Sequence, residues 1–337
     1  MHKRLVNHCT INLSLIPDGP ILIKSGKEGA DPTKPDMEFV ETYHGGSKTI
    51  YLPGSSLKGA IRAHAERIVR TVGSDERPRD GKWKLWTSNP LDSNDKQNNP
   101  NATGSYLEDW KKKHKDCANF GSEIYKQSCF ISQLFGNTSL ASRLRIEDAY
   151  PDPAKPVKTE ERNGVAIDRV FGSVAVGPFN YQVCTAGEFQ TKIHLKNFSL
   201  AQLGLIGLVL RDLNDGWFGI GFAKSRGLGT VKVKLNSAVV QYPSCELRDG
   251  KIYSFGQQAE LGSHNILLGA GEFLEADNPY GFAKPDHQTT PIAAIPMDLG
   301  FGVQLIWQGA GEEGVPNLFQ CAVRSWSEVL KLGRTAA

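Results

Sequence analysis

The sequence predicts an α+β fold whose core runs strand, helix, strand pair, helix, strand, interrupted by long insertions. Apolar and polar residues alternate with the period of a half-buried strand at several places, and between them two segments repeat their apolar residues at helical spacing. The chain of 337 residues, 39% of them hydrophobic, can also bury a sizeable core.

In the first strand Cys9, Ile11, Leu13 and Leu15 alternate with Thr10, Asn12 and Ser14, and Pro17-Asp18-Gly19-Pro20 stops it. Residues 25–50 carry Gly26, Gly29, Pro32, Pro35, Gly45 and Gly46, too punctuated for regular structure until Thr49–Leu52. A loop of that length is commonly functional or mobile. Behind Pro53-Gly54, Leu57, Ile61, Ala65 and Ile68 mark a helix over 57–69, with Ser55 and Ser56 as N-cap candidates. Residues 73–128, rich in Asn, Asp, Ser, Lys and Gly, read as a partly flexible insertion with one amphipathic piece near 106–113. Order returns at 129–136, and Leu144, Ile146 and Ala149 alternate with charged neighbours as a second strand. Asn180–Cys184 and Phe189–Leu195 read as a further strand pair. Ser199 and Gln202 form a capping box for the apolar helix 200–213, and Thr230–Leu235 is the last core strand.

That order is the βαββαβ plan of a ferredoxin-like or RRM-like fold. Beyond residue 236 the pattern is less periodic, apart from an amphipathic helix over 316–332. The expected organisation is one elaborated domain, 1–337, with insertions at 73–128 and about 157–184 and a C-terminal helical extension over 237–337.

The charge balance of 39 basic against 36 acidic residues does not announce a polyanion binder, so such a site requires local clustering. Six scattered cysteines in a chain without an apolar leader argue against a disulfide framework. No stretch approaches the ~20 apolar residues of a membrane span, and the expected location is cytoplasmic. Glycine is in excess: 35 residues, about a tenth of the chain, against a usual ~7%.

Two glycine-rich segments carry chemistry. In Pro53-Gly54-Ser55-Ser56-Leu57-Lys58-Gly59, with Arg62 one turn after Lys58, a glycine turn opens a helix. Its unpaired N–H groups and the Ser and Lys donors suit phosphate, though an ordinary N-cap with a solvated lysine explains the same residues. In Gly219–Gly229, four glycines surround Lys224, Ser225 and Arg226. Ala223 before the lysine and a following strand exclude a nucleotide P-loop, whereas close backbone approach beside two cations suits a nucleic-acid backbone.

These segments, in this order around a βαββαβ pattern, resemble the two glycine-rich motifs of the RAMP superfamily of CRISPR effector complexes. Tyr51–Arg62 and Gly221–Gly229 are most similar to the backbone subunit of type III complexes, and Ile131–Gly136 with Ser142–Ile146 matches the stretch after that family's insertion. The resemblance covers about residues 5–236. It implies a subunit that stacks with sister copies and with the large and small effector subunits. Its partners would be a guide (CRISPR) RNA, held through Gly54, Ser55, Ser56, Lys58, Arg62, Lys224, Ser225, Arg226 and Gly227, and a complementary target RNA. It also implies that 73–128 forms a lid and 157–184 a thumb hairpin. In the thumb, Arg162 and Arg169 would meet RNA, while Val165, Ile167 and Phe171, with Phe179 as a further stacking group, would meet bases.

Type III backbone subunits cut target RNA with an aspartate ahead of the Pro-Gly-Ser-Ser motif and a divalent metal, Mg2+ or Mn2+. By distance to Pro53, and by Val40-Glu41-Thr42 after it, Asp36 is the better counterpart and Asp31 the second. The flanking Pro35 and Met37 depart from the family pattern. Type IV relatives keep the scaffold without cleavage, so a non-cleaving structural subunit is the alternative. His114, Cys117 and Cys129 could hold Zn2+ in the lid, with Ser132 where a fourth ligand would complete the site. A small-molecule enzyme finds no support, since no Ser/His/Asp set or nucleotide motif is present.

Overall fold

In the computed structural model, residues 4–26, 34–78, 85–88, 103–115, 120–275 and 278–335 are described. Strand β1 (His8–Pro17) leads through a hairpin of β2 (Glu41–His44) and β3 (Ser47–Ile50) into helix α1 (Gly54–Val72). Three helices follow, α2 (Thr103–Lys113), α3 (Phe120–Gln127) and α4 (Phe130–Phe135). The chain continues through β4 (Leu144–Ile146), β5 (Tyr150–Pro151), the long hairpin of β6 (Lys158–Ile167) and β7 (Val174–Ala186), β8 (Phe189–Lys196), α5 (Leu200–Asn214) and β9 (Val231–Tyr242).

The fold is α+β with an antiparallel sheet. Its strand order β9-β1-β8-β4 places β1 at the centre, with β5 beside β8. Asn180–Cys184, expected to pair with Phe189–Leu195, lies instead in β7 and pairs with β6. Gly187 at φ +136 turns the chain between β7 and β8, so the two strands belong to different sheets.

The region after β9 is richer in strand than the expected helical extension. Strands β10 (Cys245–Arg248), β11 (Lys251–Ser254) and β12 (Ala259–Ser263) form a three-stranded sheet, and β13 (Ile266–Leu268) pairs with β14 (His287–Thr289). Strands β15 (Ile295–Pro296) and β16 (Val303–Gln308) widen the main sheet beyond β9, and the long α6 (Val315–Thr335) closes the chain. Most strands of this region are only two to five residues long, and in the six-residue β16 the apolar Ile306 interrupts the polar positions, so sequence periodicity showed only α6. No described helix is long and apolar enough to cross a membrane.

One face of the sheet is the core. Cys9, Ile11, Leu13 and Leu15 are buried on it, together with Leu57, Ile61, Ala65 and Val69 of α1 and most of α5. Helices α1 and α5 are tied by a buried His64–Asp212 pair at 2.8 Å, with the Phe218 ring stacked on the imidazole. The capping box of α5 is present, and Asp286 accepts a further bond from Leu200 N at 2.9 Å. Burial pushes the Asp286 carboxyl up to about 7. Helix α6 packs so closely on α5 that a Cβ on Gly204 would lie 2.7 Å from the Ala322 carbonyl oxygen. Gly204→Ala should therefore destabilise the fold by about 1–3 kcal/mol through overpacking, read as a lowered denaturation midpoint with unchanged far-UV circular dichroism.

The base of the β6–β7 hairpin is fastened to the sheet by Glu188, only 3% exposed and paired with Lys155 and, at 3.3 Å, with Lys234. The hydrogen bond from Lys155, supported by Ser14 and Lys234, pulls the Glu188 carboxyl down to about 2. A depressed acid adds stability that is present above its unfolded value of ~4.3 and lost as pH falls toward the folded value. Thermal midpoints should therefore drop between about pH 4.3 and about pH 2, and Glu188→Gln should remove that part of the pH dependence.

Candidate functional site

The register of the sheet gathers three long connections at one end. Strand β1 ends at Pro17 opposite Val231, where β9 begins, and Leu15 faces Phe189, where β8 begins. Strand β5 ends at Pro151, also opposite Phe189. The connection from β1 to α1, the β6–β7 hairpin and the glycine loop before β9 therefore leave from the same end.

In the loop 219–229, Ile220 and Leu228 are buried anchors while Lys224, Ser225, Arg226 and Gly227 are exposed. Two glycines let the loop fold tightly. A Cβ on Gly221 would sit 2.3 Å from the Leu22 carbonyl oxygen, and one on Gly229 would sit 2.2 Å from that of Ile220, both at positive φ. Backbone bonds from Phe222 N to Leu22 O and from Gly229 N to Pro20 O seat the loop on residues 20–23. The Arg226 guanidinium lies 5.5 Å from the Phe222 ring centre, and neither Lys224 nor Arg226 makes an ion pair among the described residues.

The same 20–23 segment pairs with β7 through Ile21 and Cys184, and residues 37–40 continue this surface through Met37 and Tyr181. Asp36 stands there, exposed, its Oδ2 accepting a 2.8 Å bond from Asn180 N of β7. The glycine loop, Asp36 and the lower half of the hairpin thus share one hydrogen-bonded surface. Asp31 lies outside the described residues.

The hairpin tip is closed by Asp168, whose Oδ1 accepts from Val170 N and Phe171 N; those two bonds hold its carboxyl below the usual range. Val170 and Phe171 stand 83% exposed at the tip, and Val165 and Ile167 are exposed along β6. Arg162 is turned onto Glu160 at 2.6 Å, Arg169 is exposed, and Phe179 lies against Gly164.

The start of α1 differs from the sequence expectation. The helix begins at Gly54, so Ser55 and Ser56 lie inside its first turn, exposed, and neither caps it. The partner of the first N–H is Asp148, whose Oδ1 accepts from Gly54 N at 2.7 Å. Gly54 is required, because a Cβ there would lie 2.3 Å from the Ile146 carbonyl oxygen. Lys58 is half-buried, donating to Ser142 Oγ at 2.8 Å and to Leu144 O at 3.1 Å; burial, then the neighbouring Arg62, lower its pKa. Arg62 donates to Glu66 and to Gly136 O, each at 3.0 Å. Both cations fasten α1 to the segment around β4 rather than standing in solvent.

The lid candidate occupies the opposite end. Tyr125 of α3 stacks on Phe282, Gln202 at the start of α5 donates to its hydroxyl, and Phe130 of α4 meets Trp326 of α6. Cys129 is buried and caps α4, its sulfur accepting from Ser132 N with Ser88 Oγ at 3.4 Å. His114 is exposed and stacked on Trp110, and Cys117 lies outside the described residues. No group of three or more His, Cys, Asp or Glu that could hold a metal occurs among the described residues. Zinc at Cys129 would have to displace that cap.

The residue sequence reasoning missed is Asp148. Its signal was faint, one more acidic residue after the alternating strand β4. Asp148→Ala should cost about 1 kcal/mol by leaving Gly54 N without its acceptor, while Asp148→Asn should retain most of it; urea unfolding of the three proteins measures this.

The model of the RAMP superfamily matches residues 17–232. No curated protein matches the chain significantly.

Proposed function

The chain belongs to the RAMP superfamily, RNA-binding subunits of CRISPR systems, and from that premise we propose that it is a guide-RNA-binding backbone subunit of a type III effector complex that cuts complementary target RNA. The observation that carries this reading is the exposed Lys224-Ser225-Arg226-Gly227 turn. It is buttressed by glycines on the same end of the sheet as the α1 start and the β6–β7 hairpin. Phosphates would meet Lys224, Arg226 and the N–H groups of Ser55 and Ser56, and exposed Val170 and Phe171 would meet bases at the hairpin tip.

Asp36 is the candidate for cleavage. Mg2+ keeps most of its waters and is held by one or two carboxylates with substrate phosphate, so a single exposed aspartate fits its donor chemistry. Such an ion, when bound, neutralises charge developing at the scissile phosphate. Asn180 N holds the Asp36 carboxylate beside the middle of the hairpin, where it could orient the RNA 2′-hydroxyl. The alternative, a non-cleaving subunit as in type IV complexes, is favoured by Pro35 and Met37, which flank Asp36 and depart from the family pattern.

Reconstitution with guide and complementary RNA, with and without Mg2+, separates the two. Metal-dependent cuts at regular spacing that vanish in Asp36→Ala, with guide binding kept, support cleavage; guide binding without cuts in the wild-type complex supports the alternative. Lys224→Gln and Arg226→Gln should each weaken guide binding across all sequences and flatten its salt dependence by about 0.7–1 unit.

A further inference from the structure

The face of the sheet turned away from α1 and α5 carries a cleft that Asp36, Lys224 and Arg226 do not line. Its wall is the β2–β3 hairpin, in which His44 faces Ser47 across Gly45-Gly46. Both glycines have positive φ, +59 and +84, as a tight two-residue hairpin requires. Together with β1, β4, β5 and β8 the hairpin lines an open cleft of about 1190 Å3.

Within it the His44 ring lies flat on Tyr150, centres 3.7 Å apart at 7°, and Tyr51 continues the stack at 5.8 Å. The floor is polar: Asn12, bonded to Ser237; Asn236, bonded to Ser14; and the exposed Gln190. Exposed Lys192 lines the cleft and Lys196 follows on the same face of β8, neither in an ion pair among the described residues. Arg145 and His194 share Glu147 beside them. Burial lowers the pKa of the His194 ring, and the carboxylates Glu147 and Asp148 line the cleft beside Arg145 and Lys192.

Carboxamides satisfy base edges, a flat aromatic stack packs against a base face, and lysine ammonium groups donate to phosphate oxygens. RRM modules stack bases on aromatics in the middle of the sheet, where this chain has Thr10, Asn12, Lys192 and His194. The stacking surface here is displaced to the hairpin edge. We propose that this cleft holds an unpaired base of single-stranded RNA against the Tyr150–His44 stack, with the adjoining phosphates on Lys192 and Lys196. The proposal rests on the RNA-binding reading above and adds a second contact surface to it.

The test uses the full chain and a 20-nucleotide single-stranded RNA containing one 2-aminopurine, followed by anisotropy and by base fluorescence. His44→Ala/Tyr150→Ala should weaken binding at least about five-fold and reduce the fluorescence quenching. Lys192→Gln/Lys196→Gln alters only exposed side chains and should flatten the salt slope by about 1.4 units. Wild-type affinity, slope and quenching in both double variants, with loss in Lys224→Gln/Arg226→Gln, would overturn the cleft and leave the RNA-binding reading standing. No binding of any RNA by the wild-type chain would overturn that reading and the cleft with it. Should the lysine pair change sedimentation of the RNA-free chain and leave RNA binding untouched, the face is a contact between copies and the proposal fails.

Discussion

Everything else depends on the alternation along β1. This strand is hydrogen-bonded on both sides, to β8 and β9, and its odd-numbered residues from Cys9 to Leu15 are sealed under the helices. A slip of one residue would turn that apolar row outward and drive Thr10 and Asn12 into the core, so the register is firmly specified. Because both neighbours run antiparallel to β1, fixing its register also fixes where they begin. The three long connections carrying the candidate residues are collected at one end as a consequence of that pairing.

The two ends of the sheet are built from different material. At the far end, Tyr125 of α3 stacks on Phe282 in the loop before β14, Phe130 of α4 meets Trp326 of α6, and Asp286 joins the start of α5 to the C-terminal region. At the near end, the side chains that project are Lys224, Arg226, Asp36 and the apolar hairpin tip. Glycine serves both ends. Gly221 and Gly229 at the near end bring backbone against backbone to form a surface, while Gly204 beside α6 closes a helix contact in the core.

Much of this was legible in the sequence, because period and punctuation report local physics. The alternation of β1, the body of α1, the helix α5 and the Ser199–Gln202 box all appear where the pattern puts them. What periodicity could not report was pairing between distant segments. Asn180–Cys184 alternates equally well whether its partner is β8 or β6, and only the turn at Gly187 decides. The short strands β10 to β15 have too few residues to show a period, and in β16 Ile306 on the less buried face blurs it. The capping of Gly54 by Asp148 crosses 94 positions, and no local rule for serine at a helix start anticipates it.

The same limit applies to charge, with a consequence for how such a chain would hold a polyanion. A glycine turn followed by Lys58 and Arg62 has the composition of a phosphate site, yet both cations are spent on Ser142, Leu144, Glu66 and Gly136, holding α1 in place. The formal charge of +3 is therefore not hiding a large basic patch at that motif. A chain that releases few counterions gains little from the electrostatic part of nucleic-acid binding, which grows with the number of phosphates neutralised. On the backbone-subunit reading, that shortfall is made up by repetition: once one copy is bound, a neighbour on the same strand binds at high effective concentration, and weak grips multiply. Modest charge per chain then becomes a means of restricting tight RNA binding to the assembled complex.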